Sequence, residues 1–228
     1  MGFRKFARVV KTFARPTAKA GMLMSRWGFR GAKNAARLAS LAYNGVKKLR
    51  GLVNSELYKL DTAWASAAIT NGFCSHRTAI QLGDGDDSRT GNSVFVRSYN
   101  FKGILSRNAA GANTQTVRVS IIIDTQQVSD TVPTYTDIYE SLSPFAHLNS
   151  NTVGRYKILF TRTYVLDSVQ KDSALVNINL AMRHHVRYNG VNSSDIQKGG
   201  IYMCVACDEP SANMPSIAGE HRLSYHDN

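Results

Sequence analysis

The chain has 228 residues, with 28 Lys plus Arg against 16 Asp plus Glu and a formal charge of +12. Its 43% hydrophobic content suits one or two globular domains, and three cysteines are too few and odd in number for a disulfide framework, which points to a reducing compartment. No run approaches the roughly 18 apolar residues that span a bilayer, and the basic start with no long apolar core is not a secretory signal.

The charge is not spread along the chain. Residues 1–50 hold 13 Lys plus Arg and no Asp or Glu, and the first acid is Glu56. The remaining 178 residues hold 15 basic and 16 acidic side chains, a net of −1. A block this polarised cannot neutralise itself and calls for an external polyanion.

Within 1–31, Phe3, Phe6, Phe13, Trp27 and Phe29 interleave with basic residues, and Pro16 and the glycines at 21, 28 and 31 interrupt any long helix. Over 32–50, Leu38, Leu41, Ala42, Val46 and Leu49 recur at three- and four-residue steps and predict a helix, weakened at Asn44-Gly45. Such a segment can lie on an anionic membrane, serve as a targeting tail, or bind nucleic acid. The last reading fits best. It assigns phosphate contacts to Arg4, Lys5, Arg8, Lys11, Arg15, Lys19, Arg26, Arg30, Lys33, Arg37, Lys47, Lys48 and Arg50, with Trp27 stacking on bases. Met1-Gly2 matches an N-myristoylation start only in part, since Phe6 stands where Ser or Thr is required.

From residue 57 the pattern becomes β. Strands are predicted over 57–69, 73–82, 93–106, 116–124, 155–166, 174–188, 200–207 and 220–226. Val117, Val119, Ile121 and Ile123 share one face, as do Val176, Ile178 and Leu180. Turn formers fill 83–92, and the longest non-strand insert, 133–152, carries a short helix near 137–142. Strands without intervening long helices define an all-β sandwich or jelly roll. The expected division is a basic arm, 1–50, and a shell domain, 51–228.

Motifs for chemistry are weak. Asp84, Asp86 and Asp87 suggest a calcium loop, but the EF-hand pattern fails at Ser88 and at Phe95. Cys204 and Cys207 have CxxC spacing, yet residues three apart on a strand face opposite sides, and no second pair completes a zinc site. His184 and His185 diverge for the same kind of reason, and His147 has no recognisable spacing to them. Neither a P-loop nor a GxSxG motif occurs. No catalytic residue, metal or cofactor is assigned. Tyr156, Tyr164 and Tyr202 are expected to pack rather than to bind a ligand.

The stretch Ile80-Gln81-Leu82-Gly83-Asp84-Gly85-Asp86-Asp87, followed by Ser88-Arg89-Thr90-Gly91-Asn92-Ser93-Val94 and the strand Phe95 to Leu105, carries a resemblance. Ile123-Asp124, the Pro-containing insert 133–152 and Arg155-Tyr156-Lys157-Ile158-Leu159 extend it, so that it spans roughly 56–208. The order of these motifs resembles coat proteins of small circular single-stranded DNA viruses that encode a replication initiator (CRESS-DNA viruses). It is also similar to satellite tobacco necrosis virus-type coats. Leu82-Gly83 after Gln81 departs from the tighter form of that turn.

The resemblance implies a single eight-stranded antiparallel jelly roll, built as two four-stranded sheets behind a basic, partly helical arm. It implies a non-enzymatic protein whose main partner is itself, closing a 60-copy icosahedral shell around single-stranded DNA, with RNA as the alternative cargo. It further implies a virion protein assembled in the host nucleus through an import receptor, with Lys47-Lys48-Leu49-Arg50 as a short import signal. A host attachment factor is implied but not identified, and no membrane partner is. Arg89 and Gly91 would organise a turn.

Overall fold

The computed structural model describes residues 37–45, 56–69, 72–126, 130–210 and 212–227. The chain divides into two compact units, Met1–Asn54 and Ser55–Asn228. In the first unit, 37–45 form helix α1, which continues through Asn44 and Gly45. Leu38, Leu41 and Tyr43 on it are exposed.

The second unit is built from nine strands and one short helix: β1 (Tyr58–Ala68), β2 (Phe73–His76), β3 (Ser93–Ser106), β4 (Thr114–Asp124), α2 (Tyr135–Ile138), β5 (Tyr156–Asp167), β6 (Ser173–Tyr188), β7 (Ile196–Lys198), β8 (Gly200–Cys207) and β9 (Ser216–Asp227). Alternation drives the pairing. On β6, Ala174, Val176, Ile178, Met182, Val186 and Tyr188 are buried, while Leu175, Asn177, Asn179, Arg183, His185 and Arg187 face out. A one-residue slip would turn this apolar set to water, so burial fixes the register.

One sheet has the order β1-β9-β3-β6-β7 and the other β2-β8-β4-β5, with every pair antiparallel. The chain passes from one sheet to the other between β1 and β2, β2 and β3, β3 and β4, β5 and β6, β7 and β8, and β8 and β9. The first and last strands lie side by side. Apart from β7, this is the double Greek-key order of a jelly roll. The main core lies between the sheets and includes Val96, Tyr99, Phe101, Val119, Ile121, Ile178, Val205 and Leu223.

β8 is buried along its whole length, Gly200–Cys207. Its second face is covered by the segment between β4 and β5. Tyr135, Ile138 and Tyr139 of that segment pack with Ile122, Tyr156, Tyr202, Cys204 and Ala206 in a separate cluster on the outer side of the four-stranded sheet. α2 is held by a capping box between Thr134 and Asp137. The Arg155 guanidinium closes the base of the segment, donating to both carboxylate oxygens of the fully buried Asp124 at 2.9 and 2.6 Å.

Arg89 organises the turn before β3, in the role implied by the resemblance. Its side chain is fully buried. It donates to the carbonyls of Ile80 (3.1 Å), Gly91 (2.7 Å) and Gly190 (2.6 Å), and lies 4.0 Å above the Tyr188 ring. The Tyr188 hydroxyl donates to the Thr78 carbonyl and the Tyr225 hydroxyl to that of Ser88, each at 2.7 Å. One guanidinium thus joins the 80–91 turn to the chain that leaves β6.

Four expectations change. The jelly roll has nine strands in sheets of five and four rather than eight in two fours. The extra one, β7, is three residues with a single apolar side chain, Ile196, and forms only because β6 offers an edge. The predicted strand 73–82 ends at His76, where the chain turns inward to bury Arg77, Thr78 and Ile80. The helix of the insert falls at Tyr135–Ile138, set by its Thr134 cap, rather than at 137–142.

The fourth correction concerns the cysteines, which were expected to be reduced. Cys74 and Cys204 are directly opposed on β2 and β8, with Cα atoms 4.0 Å apart, and form a disulfide. Their sequence separation of 130 hides this pairing in the sequence.

Replacing Arg89 by Ala leaves three carbonyls without their donor and opens a buried void. Denaturant titration should show a loss of about 3–5 kcal/mol.

Candidate functional site

Of the fourteen residues assigned to nucleic acid, only Arg37 falls in the described part of the chain. It is exposed on α1, and its carbonyl accepts a 2.9 Å bond from the Ser40 hydroxyl. Arg4, Lys5, Arg8, Lys11, Arg15, Lys19, Arg26, Trp27, Arg30, Lys33, Lys47, Lys48 and Arg50 lie outside the described residues.

The alternative sites raised by sequence resolve as follows. Asp84, Asp86 and Asp87 sit in a tight turn: Ser88 donates from its backbone to Gly85 at 3.0 Å and from its hydroxyl at 2.6 Å, and Gly83 N–H donates to the Arg89 carbonyl at 2.9 Å. Among the described residues no three His, Cys, Asp or Glu side chains converge in a way that could hold a metal ion.

His184 and His185 do diverge. His184 Nε2 lies 2.9 Å from the Gly199 carbonyl, whereas the His185 ring is exposed and 4.7 Å from that of Phe95. His147 is exposed on the β4–β5 insert. Cys204 belongs to the outer cluster and Cys207 to the core between the sheets, so the CxxC side chains also point apart. Burial pushes the Cys207 thiol pKa up and keeps it protonated. Tyr156 and Tyr202 pack in the outer cluster and Tyr164 in the main core, as expected of structural residues.

The ion pairs among the described residues are Arg107–Asp172 (2.9 Å), Arg155–Asp124 (2.6 Å) and Arg222–Asp61 (2.6 Å). The Arg222 hydrogen bond holds the Asp61 carboxyl below its ordinary range. That pair sits in a concavity of about 340 Å³ on the outer face of the five-stranded sheet, with Asn100, Lys102, Asn179 and Glu220. Lys102 is directly opposite Glu220. Each cation there has an acid beside it, so the concavity carries no excess charge.

Sequence reasoning missed a group of buried and partly buried bases. Arg77, 5% exposed, has no hydrogen-bond partner at Nε or Nη2 among the described residues, and its guanidinium lies 4.1 Å from the Trp64 ring centre. His221, 3% exposed, has an unpartnered Nδ1 and its ring is 6.0 Å from that of Tyr99. His76 stacks on Tyr202 at 5.2 Å and meets the Thr78 hydroxyl at 3.0 Å. Burial, and secondly the Arg77 charge, press the pKa of both His76 and His221 down to about 4. No local pattern marks these residues.

No protein-family model matches the chain. No curated protein matches it either. Solved structures do align with it. One from Desmodium yellow mottle tymovirus aligns at 8% identity and TM-score 0.32, covering 74% of this chain and 86% of its own. One from Red Clover Necrotic Mosaic Virus aligns at 8% identity and TM-score 0.35, covering 75% and 54%. One from naturally occurring empty particles of Cowpea mosaic virus aligns at 11% identity and TM-score 0.30, covering 74% and 83%. The jelly-roll assignment rests on the strand order given above.

His221, buried, and His76, partly buried, make stability pH-dependent. Their folded pKa of about 4 lies below the 6.5 of a free imidazole, so protonation favours the unfolded chain. Stability should be intact above pH ~6.5 and fall between pH ~6.5 and ~4, by at most about 1.4 kcal/mol per pH unit for each histidine. Thermal unfolding across that range checks this, and His221→Asn should flatten the slope.

Proposed function

We propose that the protein is a viral coat protein that assembles with copies of itself into a closed shell and packages single-stranded nucleic acid through its basic arm. The observation that carries this reading is the segregation of charge: 13 cations and no acid in residues 1–50, against a net of −1 in the rest. A near-neutral body lets many copies approach without mutual repulsion, while each arm remains attracted to phosphate.

The jelly roll suits the role. It closes its apolar faces on each other and on the β4–β5 insert, leaving a compact unit whose loops and edges are free to meet neighbours. A shell of 60 copies would bring about 780 arm charges to its interior, enough to offset on the order of 10³ phosphates. The proposed cargo is a circular single-stranded DNA, following the resemblance carried by 80–105. On that reading the protein is non-enzymatic, belongs to the virion and enters the host nucleus through the arm.

The arm is the testable part. Protein expressed with every Lys and Arg of residues 1–50 replaced by Gln should purify without nucleic acid, whereas the parent chain carries nuclease-protected DNA whose yield falls steeply with salt during assembly. Equal nucleic-acid content in the two proteins would contradict the proposal. Protection of RNA but not DNA would reassign the cargo.

A further inference from the structure

The outer face of the five-stranded sheet is charge-balanced at one end and not at the other. Near β1 and β9, Asp61 pairs with Arg222 and Lys102 stands opposite Glu220. At the opposite end of β3 and β6 the same face carries Arg97, Arg183 and Arg187, with Lys198 on β7. All four are exposed, and none takes part in an ion pair among the described residues.

Two features of the register concentrate this charge. The β3–β6 ladder slips between Val96 and Ser98, so that Val96 pairs with His184 and Ser98 with Ala181. Arg97 and Arg183 are both left out of the ladder at that point. A bulge of this kind bends a strand and re-aims a side chain, and it is often found beside binding sites. Further along, Arg187 and Lys198 are directly opposed across β6 and β7. Like charges in that position destabilise a sheet, and an anion between them would remove the cost.

An aromatic surface lies within the same patch. Phe95 is half-exposed on this face and packs its ring 4.7 Å from His185, with the Arg97 guanidinium 6.0 Å from the Phe95 ring centre. On β9, His226 is the register partner of Phe95. An open ring beside unpaired guanidinium groups suits an unpaired base with its phosphates. A duplex would present only phosphates to it. Arg183 to Arg187 spans about 13 Å along β6, a row rather than a single-anion site.

We propose that this end of the sheet is a second surface for single-stranded nucleic acid, formed by Phe95, Arg97, Arg183, His185, Arg187 and Lys198, and distinct from the arm. It rests on the nucleic-acid reading above and extends it: the arm supplies non-specific attraction and the folded face fixes the strand by stacking.

The test uses the full chain and an oligothymidylate of about 20 nucleotides. Binding is titrated against salt, and ultraviolet cross-links are mapped by peptide mass. The triple variant Arg97→Gln, Arg183→Gln, Arg187→Gln should reduce the magnitude of the log K against log salt slope by about 2, at about 0.7 per phosphate contact. The corresponding triple Lys variant should retain the slope. Phe95→Leu should lower affinity for the single strand by about fivefold or more and leave duplex binding unchanged. Cross-links should fall in 93–98, and every variant should stay folded, with the triple Gln variant at or slightly above the parental thermal midpoint because the Arg187–Lys198 repulsion is relieved. Unchanged slope and affinity, with cross-links confined to residues 1–50, would overturn the sheet surface and leave the arm standing. Failure of the full chain to bind at all would overturn both.

Discussion

Removing a guanidinium from water costs several kcal/mol unless its donors are met, and that cost sorts the cations of this chain. Arg89 enters the interior because three carbonyls and the Tyr188 ring receive it. Arg155 reaches the buried Asp124 with two donors while remaining partly in water itself. Arg77 is the exception: it is buried against Trp64 with Nε and Nη2 unpartnered among the described residues, and its charge adds to burial in keeping the neighbouring imidazole of His221 neutral. Arg107 and Arg118 are partly buried and likewise met, Arg107 by Asp172 and Arg118 by the Ala146 carbonyl at 2.7 Å. The fold therefore leaves a compact body of near-zero charge and a separate cationic segment, and the proposed function follows from that division.

The strands were legible because most have one wet face. β3 and β8 fall on the residues predicted for them, and β1, β4, β5 and β6 within two residues: alternation marks β3 and β6, whereas β8, buried on both faces, reads as a short apolar run. β9 was read four residues short at its start, where Ser216, Ala218 and Gly219 give little contrast. β7 could not be read from three residues with one apolar side chain. Non-local chemistry was harder. The Cys74–Cys204 bridge and the Arg77–His221 neighbourhood depend on which strands lie side by side, and nothing in the local pattern reports that. Arg89 was placed correctly only through the resemblance carried by its flanking turn.

The candidate site divides in the same way. Net charge and its position in the chain were visible at once, and they gave the arm. The basic, aromatic end of the five-stranded sheet was not visible, because its members come from β3, β6 and β7, more than 100 residues apart at the extremes. Only the register brings Phe95 beside His185, and Arg187 beside Lys198. The strand alternation that buries Val94 and Val186 also turns Phe95 and His185 outward, so this surface follows from the way the core is built.

The central claim is that copies of this chain close into a shell around a nucleic acid. Electron microscopy of the purified full chain, mixed with single-stranded DNA and dialysed to low salt, tests it most directly. The account predicts uniform closed particles whose formation depends on the added polyanion and is suppressed by high salt. A monodisperse monomer at every salt and protein concentration, with and without DNA, would contradict it.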